Sequence, residues 1–188
     1  MARPRSADRR NAILAAAAQV IAVQGLGAPT AAIAKEAGVS NGSLFVYFDT
    51  KATLFNELYV ALKAEMGAAA LDGLPAEGDA REQVRHMWNQ WLSWATSFPE
   101  KRRTLAQLEV SDDITAESHQ IGSSALRGIA DLLERNRADG PMRAAPLGFI
   151  LTLANAIGDA TVDAMIREPD LAESYARTAF DALWRILG

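Results

Sequence analysis

Few side chains in this sequence are suited to catalysis or to metal binding. Its 188 residues include no cysteine and two histidines, His86 and His119, which lie far apart along the chain. The lack of thiols excludes disulfides, thiolate metal sites and cysteine nucleophiles, and two distant histidines do not indicate a zinc site. We therefore predict neither a metal nor a cofactor.

The carboxylates of Asp159 and Asp163 and the two histidines are the remaining candidates for a general base. An enzyme that used them would be expected to show a companion motif, such as HExxH, a phosphate loop or a nucleophile elbow. None of these patterns occurs in the sequence. We predict that the chain is not an enzyme and keep a small helical enzyme as an alternative.

The charged side chains are distributed unevenly. The whole chain has 19 basic and 23 acidic residues, for a net charge of −4. Residues 1–55 hold six basic and three acidic residues, a balance of +3, whereas the remainder carries −7. This polarity indicates a small basic head that contacts an anion and a larger acidic body that does not.

The elements that position these residues are predicted to be helices. Apolar residues recur at three- and four-residue spacing, alternating strand patterns are missing, and seven prolines separate the segments. We predict an all-α fold of about nine helices, with a three-helix N-terminal helix-turn-helix head and a larger C-terminal helical bundle. The predicted helices are 7–24, 30–37, 41–47, 51–71, 79–97, 101–111, 113–138, 146–167 and 170–187.

Two domains follow from this pattern: a head at 1–50 and a body at 51–188, with 51–71 as the connecting helix.

The alanine-rich stretch after Arg9 and Arg10 imitates an export signal, but Asp8 and Gln19 dilute it and its larger apolar residues have helical spacing. No run approaches the roughly 18–20 apolar residues that span a bilayer. We expect a cytoplasmic protein with no membrane partner.

The most informative stretch is Thr30 to Phe55. Ile33 and Ala34 lie on one face of a short helix, Gly38 stands where the chain has to take a positive φ, and Leu44 supplies an apolar contact from the next helix. This spacing is typical of a helix-turn-helix, although an ordinary helical hairpin has the same spacing.

Several details favour contact with DNA. Lys51 begins a helix, where a cation opposes the macrodipole unless a phosphate lies nearby. Gly42 weakens a helix of about seven residues, which is understandable if the backbone has to approach a partner closely. Thr30 and Ser40 are good N-caps whose hydroxyls also suit phosphate contacts. For Tyr47, a core position and a phosphate contact remain equally open.

The segment resembles the DNA-binding domain of the TetR family of bacterial transcriptional regulators. The match is carried by Thr30, Ile33-Ala34, Ala37-Gly38-Val39-Ser40, Gly42, Tyr47-Phe48 and Lys51. The resemblance implies that the helix at 41–47 enters the major groove and that Thr30, Tyr47 and Lys51 hold phosphates. The predicted DNA-binding residues are Arg3, Arg5, Arg9, Thr30, Ser40, Asn41, Gly42, Ser43, Phe45, Tyr47 and Lys51.

Two positions depart from the family pattern. Phe45 replaces a frequent tyrosine, so a phosphate bond is lost while the ring remains able to contact a thymine methyl or a sugar. Asn41 replaces a frequent lysine or arginine and is suited to pair with adenine. We expect the arginine arm, which includes Arg10, to carry more of the salt-dependent affinity, unless the arm is a solvated tail.

The last two predicted helices are apolar on more than one face. Each apolar face needs a neighbouring helix, from the same chain or from a second copy, to cover it. The resemblance implies the same answer, a homodimer through a four-helix interface. The predicted interface residues are Phe149, Ile157, Met165, Leu171, Phe180, Leu183 and Trp184.

A run of tryptophans in helix 79–97 has two open interpretations. Bulky residues at helical spacing are most often core, but they also form pocket walls. The second interpretation gives an effector pocket lined by Met87, Trp88, Trp91, Trp94, Leu151, Asn155 and Asp159.

By the resemblance, the chain is a homodimeric repressor that leaves a palindromic DNA operator when a small-molecule effector binds the body. A transcriptional activator of the same fold and a helical interaction protein without a DNA role are the alternatives.

Overall fold

The computed structural model describes residues 3–75, 79–137 and 140–187, with side chains from Ser6 onward. Within these ranges the regular structure is ten α-helices and one 3-10 turn, which confirms the all-α prediction. The elements are α1 (Arg3–Gln24), α2 (Thr30–Glu36), α3 (Asn41–Tyr47), α4 (Lys51–Leu71), α5 (Ala80–Ser97), α6 (Pro99–Glu109), α7 (Ala116–Ala125), α8 (Arg127–Asn136), α9 (Leu147–Arg167), the 3-10 turn Pro169–Leu171 and α10 (Ala172–Leu187).

Most helix limits agree with the sequence prediction, and α3 and α4 do so at both ends. The single helix predicted at 113–138 is wrong, because α7 and α8 are separate helices that meet at Leu126. Helix α6 begins at Pro99 rather than at residue 101, since proline is tolerated in the first helical turn, where its missing N–H costs nothing.

The contacts divide the chain into two compact units. The first unit contains the chain up to Ala64 together with Phe98–Ser124, and the second contains Glu65–Ser97 and the chain from Ala125 onward. The division predicted at 50/51 therefore does not coincide with the packing, because α6 lies against α1. The fully buried Thr104 donates its hydroxyl to the carbonyl oxygen of Ala18 at 2.7 Å.

The first unit also contains a polar cluster between α4, α6 and α7. The Tyr59 hydroxyl donates to Oε1 of Glu109 at 3.3 Å and lies 3.1 Å from Nδ1 of His119. Nζ of the mostly buried Lys63 lies 2.6 Å from Oε2 of the same glutamate. Burial, with a smaller contribution from the negative charge of Glu109, raises the pKa of Tyr59 well above its ordinary value. Gly122 allows this approach, since a Cβ there would meet the Tyr59 ring at 2.8 Å.

The second unit is built from α5, α8, α9 and α10. Helix α9 has 21 residues and by length and composition is apolar enough to cross a bilayer, so the expectation that no segment reaches this threshold is wrong. A core helix of a soluble protein passes the same test. Helix α9 packs against α5 and α10, with Ile150, Gly158, Thr161 and Val162 buried.

Candidate nucleic-acid interface

The turn between α2 and α3 is closed by a helix C-terminal motif. Gly38 has a φ of +67°, and its N–H donates to the carbonyl of Lys35 at 3.1 Å while the N–H of Val39 donates to the carbonyl of Ala34 at 2.9 Å. This pair of bonds is the Schellman arrangement, which satisfies carbonyls at the end of α2. The positive φ predicted for Gly38 is confirmed, and Ile33, Ala34 and Leu44 are all buried.

Helix α3 has a strong N-terminal cap. Ser40 is extended, and its Oγ accepts a hydrogen bond from the N–H of Ser43 at 3.0 Å. The hydroxyls of Ser40 and Ser43 also lie 2.8 Å apart. Thr30 was expected to be the N-cap of α2, but this is wrong: Pro29 occupies that position, and Thr30 is the half-buried first residue of the helix.

The two faces of α3 have different environments. Leu44, in the helix, and Phe48, at its C-cap, are completely buried. Asn41, Gly42, Phe45 and Val46 are exposed, with Gly42 and Val46 farthest around the helix from the buried pair, whereas Ser43 and Tyr47 are half-buried. This exposed stripe of α3 keeps accessible surface on each of its four residues, so it is open to contact with a partner.

Val46 belongs to this stripe and is absent from the predicted binding set. Its side chain is 80% exposed, compared with 40% for Phe45. The signal was present in the sequence, because position 46 lies one helical turn after Gly42 and two residues after the buried Leu44. An isolated valine has no polar group that indicates a role, so the sequence alone does not single out Val46.

Gly42 is not demanded by the chain's own packing. A Cβ built at this position would have Ser40 Oγ as its nearest neighbour, at 4.0 Å, and its φ lies outside the positive range. An alanine would therefore fit within the protein. The glycine supports the expectation that the backbone of α3 approaches a surface outside the chain.

Lys51 has a partner inside the first unit. Its Nζ donates to the carbonyl oxygen of Leu26 at 2.7 Å and lies 5.3 Å from the centre of the Phe55 ring. A cation in the first turn of α4 therefore has a partner within the protein, and phosphate binding by Lys51 stays a prediction. The cap of α4 is Thr50, whose Oγ1 accepts from the N–H of Thr53 at 3.0 Å.

The arginine arm is part of α1. Helix α1 begins at Arg3, but the side chains of Arg3 and Arg5 lie outside the described residues. Arg9 is exposed. Arg10 is paired with Glu57 and lies over the Phe48 ring at 5.3 Å, so it is committed to the fold of the head rather than to a free arm.

The tryptophans predicted to line a pocket are packed into the second unit. Trp88 and Trp94 are buried, and their Nε1 groups donate to the carbonyl of Ala176 at 3.2 Å and to Glu65 Oε1 at 2.9 Å. The half-buried Trp91 stacks on Trp88 and approaches α9 so closely that a Cβ on Gly158 would meet its ring at 2.6 Å. The core interpretation is therefore confirmed for Trp88 and Trp94.

The other predicted pocket residues differ in burial. Met87 is buried, Leu151 and Asp159 are half-buried, and Asn155 is exposed. A groove of about 320 Å³ lies elsewhere in the second unit, against α5 and α10. It is lined by Arg81, Arg85, Asn89, Glu173, Ala176, Arg177, Phe180 and Asp181.

The predicted interface residues differ in how much surface they offer. Phe180 and Leu183 are buried within the second unit and have no surface to offer a partner, which corrects their assignment. Trp184 is half-buried and stacks on Phe180. The remaining four, on α9 and the following 3-10 turn, are wholly or partly accessible: Phe149, Ile157, Met165 and Leu171.

No group of three or more potential metal ligands occurs within the described parts of the chain. The side chains that the structure brings together in the first unit are instead those of a helix-turn-helix, with α3 presenting its exposed stripe.

Comparisons with known proteins agree with this geometry. Residues 13–58 match the family described as bacterial regulatory proteins, tetR family. A tetR family transcription regulator from Shewanella sp. PV-4 is 26% identical, with a TM-score of 0.83, over 94% of this chain and 96% of that one. A TetR family transcription regulator from Marinobacter aquaeolei VT8 is 22% identical, with a TM-score of 0.87, over 98% of each chain. FadR from Bacillus subtilis, solved with stearoyl-CoA, is 16% identical, with a TM-score of 0.70, over 95% of this chain and 99% of that one.

Proposed function

Because the chain belongs to the tetR family of bacterial regulatory proteins, and is thus a DNA-binding transcription regulator, we propose that it is a homodimeric repressor of a palindromic operator. The observation that carries the DNA-binding part is the exposed stripe of α3, held at a fixed angle by the capped turn before it. One helix of seven residues contacts too few base pairs to be selective, so two copies are needed to read two half-sites.

Selection from random-sequence duplexes tests this part of the proposal. The wild-type protein is expected to enrich an inverted repeat whose half-sites lie about one helical turn or more apart. Affinity for the enriched sequence should fall steeply between 50 and 200 mM salt, because phosphate contacts release counterions. Enrichment of no sequence, together with an absence of salt-dependent DNA binding, would favour a helical interaction protein with no DNA role.

The dimer is supported by the surface of α9. This helix is strongly apolar, yet only 22% of its most apolar stretch is buried within the protein. Phe149 is 51% exposed, and the small residues Ala156 and Ala160 are exposed further along the same helix. An apolar, small-residue surface of this kind permits close approach of a second copy, which would remove it from water.

The charge-inserting variant Phe149→Glu tests the interface. Because the side chain is already half exposed, the change is expected to leave each protomer folded and to convert the dimer into monomers in analytical ultracentrifugation. Val110→Glu is the matched control, since Val110 is an equally apolar, 84% exposed residue in the first unit. A Phe149→Glu protein that stays dimeric would move the interface away from α9.

The proposed release mechanism requires an effector in the second unit. An effector releases the operator only if it binds the DNA-free form more tightly than the DNA-bound form. A protein of the same fold binds stearoyl-CoA, which supports a small amphipathic molecule as the class to test. The half-buried Trp91, Leu151 and Asp159 and the groove against α5 and α10 are the places to look.

Native mass spectrometry of the purified protein tests for an effector. The expected result is a retained molecule whose addition to stripped protein lowers operator affinity. If the retained molecule raises operator affinity instead, the proposed release mechanism is refuted. We further propose that the chain is cytoplasmic and has no enzymatic activity, in keeping with relatives that are transcription regulators.

A further inference from the structure

The exposed stripe of α3 is unusual in its chemistry for a surface that meets DNA. Helix α3 carries no charged side chain, and its two largest exposed groups are the apolar Phe45 and Val46. The only side chain in the stripe with a hydrogen-bonding group is Asn41. Phosphate attraction therefore has to come from other elements, and α3 is suited to read base edges by apolar contact.

Internal packing does not account for Val46 and accounts only in part for Phe45, whose side chain is 40% exposed. Val46 lies across the helix from Leu44 and Phe48, which are fully buried, and Phe45 lies between the two faces. Single exposed hydrophobic residues are ordinary on protein surfaces. Phe45 and Val46, however, are adjacent, and Gly42 lies one turn before Val46. The helix backbone and the valine methyl groups are therefore accessible together.

The major groove presents one apolar feature, the C5-methyl group of thymine. We propose that Val46 and Phe45 each contact a thymine methyl in the operator half-site, so that the half-site has thymines at two defined positions. Gly42 allows the helix to enter far enough for the short valine side chain to reach a methyl. This inference rests on the proposed function, because it places α3 in the major groove.

Replacing thymine by deoxyuridine tests the contact directly, since it removes the methyl and leaves every hydrogen-bonding group in place. The probe is the inverted repeat returned by the selection, synthesised with single substitutions at each thymine. Affinity of the wild-type protein is expected to fall about fourfold at the position that Val46 contacts, the value for loss of one buried methyl group. A second position should respond in the same way through Phe45.

The variants Val46→Ala and Phe45→Ala complete the test as a double-mutant cycle. Val46→Ala removes two methyl groups, so it should bind the thymine duplex at least about fourfold more weakly and show no further loss with deoxyuridine at its position. Val110→Ala is the matched control, because Val110 is 84% exposed and lies outside α3. It should keep the full deoxyuridine response, and melting curves should show that all variants are folded.

The outcomes separate the two proposals. If the protein selects an inverted repeat but Val46→Ala and Phe45→Ala retain the wild-type response to deoxyuridine at every position, the methyl contacts are refuted and the proposed function stands. If no deoxyuridine substitution changes the affinity of the wild-type protein, the inference is refuted in the same way. If no sequence is selected, both proposals fail.

Discussion

The substitution Gly42→Ala is expected to raise the stability of the protein and to lower its affinity for DNA. A Cβ at position 42 has no neighbour closer than 4.0 Å, and the residue has no positive φ, so alanine fits the folded chain without strain. Alanine also reduces the conformational freedom of the unfolded chain. The free energy of unfolding should therefore rise by about 0.4–1 kcal/mol, which corresponds to about 1–4 °C in Tm for a protein of this length.

The effect on DNA binding has the opposite sign. If the backbone of α3 lies close to the base edges, the added methyl group meets DNA instead of water. Forcing a methylene into a well-packed contact costs about 1–3 kcal/mol. Operator affinity measured by fluorescence anisotropy should therefore decrease by about five- to 150-fold.

Gly148→Ala is the control for the stability measurement. Gly148 is also the second residue of a helix and is also exposed, and a Cβ added there would have no atom within 4 Å. Both variants should melt at a higher temperature than the wild-type protein. Unchanged operator affinity of the Gly42→Ala protein would refute close approach at this position, and a lower melting temperature would show that the fold itself requires the glycine.

Three further predictions follow from contacts within the units. Lys51→Ala should lower operator affinity for all sequences, which salt titrations of DNA binding measure. It should also destabilise the head by about 1 kcal/mol, because Nζ of the lysine donates to the carbonyl of Leu26 at 2.7 Å. Chemical denaturation measures this second effect. Tyr59→Phe should reduce the loss of folding stability at alkaline pH. Because the pKa of Tyr59 is raised in the folded protein, its contribution to stability is fully present below about pH 10 and is lost as the pH rises further. A wild-type slope of the free energy of unfolding against pH, above pH 10 in the variant, would contradict this. Gly158→Ala should destabilise the protein by about 1–3 kcal/mol, because the new methyl meets the Trp91 ring at 2.6 Å; a stabilised variant in thermal melts would show that the ring moves freely.

The helix-turn-helix could be predicted from the sequence because its signals are local. Gly38, Ser40 and Leu44 act through the backbone geometry and packing of residues a few positions away, and each has the predicted conformation or burial. Helix-cap, turn and periodicity rules describe interactions over this range. The same rules located both ends of α3 and α4.

Beyond a few helix limits and the cap of α2, the errors concern contacts between residues distant in the sequence. The carbonyl of Leu26 that accepts from Lys51 and the carboxylate of Glu57 that pairs with Arg10 have no signature near those cations. Burial of Phe180 rather than its exposure at an interface also depends on which face α10 presents to its own unit. A periodic apolar pattern gives the number of buried faces, but it does not say which neighbour covers each one.

The most direct test of the account is selection from random DNA with the Asn41→Ala variant beside the wild-type protein. Asn41 is exposed at the start of the α3 stripe, so the substitution should leave the fold intact and change what the helix reads. The account predicts an inverted repeat for both proteins, with base preference altered at one position of one half-site and at the equivalent position of the other. Identical selected sequences for the two proteins, or no inverted repeat for either, would contradict it.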